Sequence, residues 1–250
     1  GGSFPIGGSS QIVKTINPVI EKSGGRILVR AGVEKIIVQS NKVVGVMLED
    51  GREIFSKLVI SGVGVINTFN NLLEKDIALK LGFKKSLKSV APSAAHGCLY
   101  IGLKGDAKKL KLPKHNLWIY PEKTDHDSSV ENYLKNQNNE FPLVYISFPS
   151  AKDPSWNDRY PNKSTIDIIT LLPYESFKKW DGTTWKKRGE DYEKVKDIIA
   201  KRLLECLFNQ LPHLRDKVDH YELSSPLSTK NFTSYEKGEL YGLDHTPKRF

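Results

Sequence analysis

Two cysteines, Cys98 and Cys206, and six histidines are the residues of this 250-residue chain best suited to metal, redox or nucleophilic chemistry. Their spacing supports none of these. The cysteines lie far apart without a partner pattern, which argues against a disulfide framework and against a zinc site. His96 lies beside a strand start, and His115 and the Asp125-His126-Asp127 cluster fall in polar loops, where solvated surface is the reading. His213, His220 and His245 have no second ligand at helical i, i+4 spacing. No metal is expected, and no catalytic triad or acid–base pair is apparent. Gly62-Val63-Gly64-Val65-Ile66-Asn67 follows an apolar strand and imitates the start of a dinucleotide fingerprint. Its third glycine position is Asn67, and the acidic residue expected about twenty positions on is missing, so it is rejected as a Rossmann start.

The elements that must carry any chemistry are legible from periodicity. At 250 residues, 38% apolar and 27% charged, the chain can bury a proper core as one large or two small domains. After the turn Phe4-Pro5-Ile6-Gly7-Gly8, with Ser9 or Ser10 as N-cap, Ile12, Val13, Ile16, Val19 and Ile20 recur at helical spacing and Gly24-Gly25 ends the element. Residues 24–64 read as four or five short strands: apolar runs at Ile27-Leu28-Val29, Val33 to Val38, Val43 to Met47, Ile54-Phe55 and Leu58-Val59-Ile60, separated by polar and glycine turns. Phe69 to Leu81 reads as helix. Further runs at 95–103, 117–120, 143–148 and 165–172 predict a second, largely antiparallel sheet. Trp180 to Glu190 reads as a polar connector. Tyr192, Val195, Ile198, Ile199, Leu203, Cys206 and Leu207 mark the strongest amphipathic helix, stopped by Leu211-Pro212 and expected to cover one face of that sheet. The tail from Ser224 shows little periodicity.

The formal charge of +9 raises nucleic-acid and anionic-lipid readings. The lysines are dispersed, at Lys84-Lys85, Lys108-Lys109-Lys111, Lys178-Lys179 and Lys186-Lys187-Arg188, and no nucleic-acid module accompanies them, so a solvated face accounts for them. With no signal peptide and no apolar run long enough to span a bilayer in this portion, a cytoplasmic or peripheral-membrane location is expected.

Taken in order, Phe4-Pro5-Ile6-Gly7-Gly8-Ser9, a helix, Ser23-Gly24-Gly25-Arg26-Ile27, Gly32-Val33-Glu34-Lys35-Ile36, Val44-Gly45-Val46, Glu49-Asp50-Gly51 and Val59-Ile60-Ser61 form a set. Pro149-Ser150-Ala151-Lys152-Asp153-Pro154, the 180–207 connector and helix, and Ser225-Pro226-Leu227-Ser228-Thr229 through Gly238-Glu239-Leu240-Tyr241-Gly242 continue it. The set resembles the FAD-dependent phytoene desaturase, carotenoid isomerase and retinol saturase family, over nearly the whole chain.

The resemblance implies an α+β fold, a fragment of an α/β flavoprotein. Residues 1–80 would be a partial FAD-binding domain (a helix and a β-meander), 81–225 a substrate-binding domain, and 226–250 a segment returning towards the FAD domain. The family's N-terminal glycine-rich FAD fingerprint and C-terminal flavin-closing segment have no counterpart here, so the expectation is an internal fragment without activity of its own. The parent would be a flavin-dependent oxidoreductase that desaturates, saturates or isomerises isoprenoid polyenes such as carotenoids or retinol. By resemblance Val33 contacts the adenine of FAD through its backbone, and the chemistry belongs to the flavin, with the protein supplying orientation and a dry channel. Tyr100, Tyr145 and Phe148 are the candidate channel-lining, substrate-binding residues. An apolar isoprenoid substrate, peripheral contact with a membrane, and self-association through a sheet edge left exposed by the partial domain are the expected partners; nucleic acid is not. The competing reading is a non-enzymatic lipid- or membrane-surface-binding module using basic loops.

Overall fold

The computed structural model describes residues 4–82, 87, 89–122 and 125–247; the Lys84-Lys85 run lies outside them. Contacts divide the chain into two compact units, residues 1–25 with 95–228 and residues 26–94 with 229–250. The α+β class holds, with helices and antiparallel sheets. The first helix, α1 (Ser10–Lys22), therefore clusters with the second sheet rather than with the meander that follows it in sequence.

The unit of residues 26–94 and 229–250 is built on a three-stranded antiparallel meander, β1 (Val33–Gln39), β2 (Lys42–Leu48) and β3 (Glu53–Phe55), in the order β1-β2-β3. Ser40 and Asn41 join β1 to β2 with φ of 50° and 62°, the doubly left-handed turn whose twist suits a tight hairpin. Gly45 is required in β2 because a Cβ there would sit 2.2 Å from the Ile54 carbonyl oxygen. Three strands form rather than the four or five expected. Ile27-Leu28-Val29 and Leu58-Val59-Ile60 pair with nothing among the described residues, and Val29 and Ile60 are 80% and 88% exposed. An apolar run is a strand only when it finds a ladder.

The expected helix over 69–81 is also interrupted. A single helical turn at Val65–Asn67 runs into a wide turn at Thr68–Leu72, Leu73 is extended, and α2 (Lys75–Lys80) starts afresh. Asparagine side chains bond around the start of this stretch. The Asn67 amide donates to the carbonyls of Val63 and Ser234, both at 3.0 Å, and Asn71 donates to Asn67.

The other unit carries a five-stranded, wholly antiparallel sheet in the order β5-β6-β7-β4-β8: β4 (His96–Lys104), β5 (Leu117–Ile119), β6 (Val144–Ser147), β7 (Lys163–Leu171) and β8 (Val218–Ser224). Four of these match the expected apolar runs. β8 was not foreseen, because VDHYELS has weak alternation and takes its place at the edge by pairing with β4. The inner face carries Leu99, Ile101, Ile146, Ile166 and Ile168, each no more than 2% exposed. Against it packs the long helix, which here follows α3 (His126–Lys135) as α4 (Glu190–Gln210), through Leu203 and Leu207.

Three local features correct the sequence reading. Asp125 begins α3 rather than lying in a loop: its carboxylate caps the helix by accepting from the Ser128 N–H at 3.0 Å. The 180–190 connector is anchored, with Trp180 buried against Phe177 and Tyr192. Buried Arg188 donates to the carbonyls of Thr183 (2.9 Å) and Leu227 (3.3 Å) and lies over the Tyr192 ring. Past Ser224 the tail forms α5 (Pro226–Thr233).

The loop before α1 is fastened by one carboxylate. Asp153, whose side chain is wholly buried, accepts the Gly7 N–H with both oxygens at 3.1 Å. It also accepts the Ser155 N–H and hydroxyl at 3.0 and 2.8 Å and pairs with Arg159. Arg159 in turn lies over the rings of Trp156 and Tyr160. α1 buries no side chain, and Ile12, Val13, Ile16 and Val19 stay half or more exposed, so this clamp rather than apolar packing holds the segment. Burial works to raise the Asp153 pKa; the Gly7, Ser155 and Arg159 contacts outweigh it and the pKa lies below the ordinary value. A depressed carboxylate pKa adds stability that is present above the unfolded value near ~4 and lost as pH falls through the folded value. The urea midpoint is thus expected to fall as pH drops below about 5. Asp153→Asn should be less stable at pH 7 and show a shallower acid loss; parallel pH profiles would show that the clamp contributes nothing.

Candidate functional site

Alternation along the strands decides what the second sheet shows on the face away from α4. With Leu99, Ile101, Ile166, Ile168 and Ile146 inward, Cys98 and Tyr100 of β4, Asp167 and Ile169 of β7, Tyr145 and Ser147 of β6 and Trp118 of β5 are outward. The register sorts them into two rows. One runs Trp118, Tyr145, Ile169, Cys98 and Ser224; the next runs Ser147, Asp167, Tyr100 and Glu222. The first is aromatic and apolar for most of its length. Trp118 meets Tyr145 edge to face with ring centroids 4.7 Å apart, and Trp118 is 57% exposed. The second is polar.

Lys152, on the helical turn Pro149–Lys152, reaches over the end of the polar row. Its ammonium donates to the Ser147 hydroxyl at 2.9 Å and to the Asn116 side chain. Burial lowers the Lys152 pKa, with Asp167 opposing. Burial raises that of Asp167, with Lys152 opposing. Tyr100 is raised by burial, helped by Cys98, Asp167 and Glu222 nearby. Cys98 is pushed up to about 12, chiefly by burial, so its thiol stays protonated and offers no thiolate nucleophile. His96 heads β4 with Nδ1 buried and unbonded among the described residues, and burial lowers its pKa, which keeps the ring neutral. No group of three or more His, Cys, Asp or Glu among the described residues is arranged to hold a metal ion.

The structure brings two of the three substrate-residue candidates onto this face. Tyr100 and Tyr145 lie on it, separated by β7. Phe148, just past β6, is fully buried in the core. Val33 belongs to the other unit, at the start of β1. Sequence reading missed Trp118, Ser147, Lys152 and Asp167. The alternation in Thr165-Ile166-Asp167-Ile168-Ile169 carried the signal for Asp167, since its two neighbours are the buried isoleucines.

No family model matches the chain. The all-trans-retinol 13,14-reductase of Danio rerio is 33% identical over 258 residues, covering 100% of this chain and 42% of that protein. Prolycopene isomerase 2, chloroplastic, of an Oncidium hybrid cultivar is 29% identical over 242 residues, covering 96% of this chain and 37% of that protein. Among solved structures, an oxidoreductase from Methanosarcina mazei aligns over 88% of this chain and 43% of its own with a TM-score of 0.54 at 20% identity, a likeness of fold. These matches fit the phytoene desaturase, carotenoid isomerase and retinol saturase family, to which the chain is related along almost its whole length. The chain spans about two fifths of the length of the curated relatives it matches.

The burial of Cys98 yields a direct test. A thiol with a pKa of about 12 is about one part in ten thousand thiolate at pH 8. Iodoacetamide at pH 8 should leave Cys98 unmodified in the folded chain and alkylate it in urea, read by peptide mass spectrometry. Rapid native labelling of Cys98 would contradict this packing of the face.

Proposed function

We propose that the chain supplies the substrate-facing part of a flavin-dependent oxidoreductase that acts on isoprenoid polyenes. The observation that carries this is similarity along the whole chain to two proteins named for different reactions, a retinol reductase and a prolycopene isomerase. What those names share is a conjugated isoprenoid. The row of Trp118, Tyr145 and Ile169 suits such a molecule, because flat aromatic and branched side chains give it contact area without asking for hydrogen bonds. A lipid-binding module is not favoured, since whole-length relationship to these enzymes gives it nothing to explain.

The flavin part of the reading rests on β1. As a sheet edge among the described residues it has a strand neighbour on one side only, and Val33 is exposed at its start. Gly32 beside it lies so close to Glu49 that a Cβ would stand 2.4 Å from Oε2, and its carbonyl accepts the Glu49 N–H at 2.8 Å. A strand end at a sheet edge suits the edge of an adenine, and Val33 would hold it. A bound flavin would supply the hydride chemistry, while this chain binds, orients and dries the polyene. Self-association through the same edge and through exposed Phe55, Leu58 and Ile60, and peripheral contact with a membrane, belong to the proposal too. No helix among the described residues is long and apolar enough to cross a membrane.

Titrating the chain with all-trans-retinol, followed by quenching of tryptophan fluorescence, should saturate near one equivalent, and Trp118→Ala should weaken it several-fold. Quenching that rises without saturation, unchanged in the variant, would remove the polyene site. The flavin part is checked on protein of the relatives' full length, by visible absorbance after reconstitution with FAD. A colourless protein that takes up no FAD would overturn it.

A further inference from the structure

Lysines that lie scattered in the sequence are gathered by the fold at one end of the five-stranded sheet. β4 ends on Lys104 and β7 begins on Lys163, and the two stand opposite each other in the ladder, a like-charged pairing that costs the sheet stability. The loop leaving β4 adds Lys108, Lys109, Lys111 and Lys114. Lys104 is answered by Asp219 at 3.0 Å. The other five are exposed and make no ion pair among the described residues. Asp106, the acidic residue of the loop, accepts the backbone N–H groups of Lys108 and Lys109 at 2.8 and 3.3 Å.

Buried anchors fix this loop. Leu110 and Leu112 are buried in the core, and the His213 ring bonds the Leu110 carbonyl at 3.0 Å. The Leu112 N–H donates to the Ala107 carbonyl and the Gly105 N–H to the Asn162 carbonyl, both at 2.9 Å. Lys111 holds a left-handed φ of 51°, a conformation that costs a lysine free energy. Lysines that serve solubility alone need no such fixing. Displayed from buried leucines, these keep several positive charges at set spacing, with little ordering left to be done on contact.

An aromatic pair adjoins them. The Trp156 indole donates to the Lys163 carbonyl at 2.8 Å, its ring lies 4.8 Å from that of Tyr160, and Tyr160 is 47% exposed. Rings with one polar edge beside fixed lysines match the headgroup level of a bilayer, where lysine meets anionic headgroups and Trp and Tyr keep an apolar body inward and a polar tip in water. An acidic polypeptide would use the lysines and leave these rings in water. We propose that this end of the sheet is a docking surface for an anionic lipid bilayer, with the unpaired lysines on the headgroups and Trp156 and Tyr160 at the boundary with the acyl chains. The inference rests on the membrane-contact part of the reading above, and it sets the place of that contact and the charge of the lipid.

Binding of the chain is measured by co-sedimentation with vesicles of phosphatidylcholine alone and of phosphatidylcholine with phosphatidylserine at about one lipid in three. Binding to the anionic vesicles alone, falling steeply with salt, is the expected result. Each lysine near such a surface changes binding about fivefold, so Lys108→Gln, Lys109→Gln and Lys111→Gln together should weaken it about a hundredfold. The same change at Lys178, Lys179 and Lys187, which follow the opposite end of β7, removes equal charge and should weaken it only a few-fold. Tryptophan emission should shift to the blue on anionic vesicles, and less so in Trp156→Phe. Equal losses in the two triple variants would show that net charge alone acts, which overturns this docking surface and leaves membrane contact standing. Binding to neither vesicle overturns both, and the retinol titration still decides the polyene site by itself. Tighter binding to polyglutamate or single-stranded RNA than to the anionic vesicles, with no blue shift on the vesicles, overturns the lipid assignment in favour of an acidic macromolecule.

Discussion

Register in one strand pair governs everything on the second sheet. β7 alternates so strictly that a slip of one residue against β4 would turn Asp167 into the core and Ile166 and Ile168 to the outside. Hydrophobic burial alone opposes that slip, but two buried polar residues add a geometric lock. At one end the Ser164 hydroxyl donates to the Gly105 carbonyl at 2.8 Å, and at the other the Thr170 hydroxyl donates to the Leu143 carbonyl at 2.7 Å. Both lie on the inner face and are at most 2% exposed, so either bond, once lost, leaves a buried hydroxyl unpaired, at a cost of about 1–3 kcal/mol. The strand is pinned at both ends, and the residues between are held to one face each. The two rows of the outer face, apolar and polar, are a consequence of that pinning.

A different kind of constraint positions the loop before α1. No apolar side chain of α1 is buried, so the usual means of docking a helix is absent from this segment. In its place a single buried carboxylate accepts from Gly7, 146 positions away in sequence, and from its near neighbour Ser155. Asp153 can remain ionised in a wholly buried position because Gly7, Ser155 and Arg159 all donate to it. Such a hub is specific in geometry and sensitive to pH, whereas the apolar core is neither. The two halves of the unit therefore differ in how they are held: a packed sheet and helix on one side, a hydrogen-bonded clamp on the other.

What was legible in the sequence follows from which of these forces acts. Apolar periodicity found β4, β5, β6, β7 and α4, whose formation depends on burying one side. It failed where pairing or side-chain hydrogen bonds decide. Leu58-Val59-Ile60 is as apolar as any strand but has no ladder, and β8 is poorly patterned but has one. The stretch 69–81 is apolar at helical spacing, yet Leu73 is extended and splits it. At the site, aromatic residues on alternating runs pointed to Tyr100 and Tyr145 and, by the same logic, to Phe148. The parity of positions separates them: Phe148 lies one step beyond Ser147 and turns inward. Asp153 was present in a quoted motif, but nothing in the local sequence tells that its partner is Gly7.

The outer face can be set beside the two relatives, one named as a reductase and the other as an isomerase. Proteins named for different reactions can share a surface when that surface binds and orients rather than performs the bond-changing step. Selection then acts on what the surface can distinguish. Apolar contact discriminates weakly, because one methylene more or less changes binding by only about 1–3 kcal/mol. A polar group with a partly desolvated acceptor discriminates far more, since the wrong ligand leaves that acceptor unpaired. On the outer face Asp167, between Ser147 and Tyr100 in the polar row, marks where the surface passes from apolar to charged.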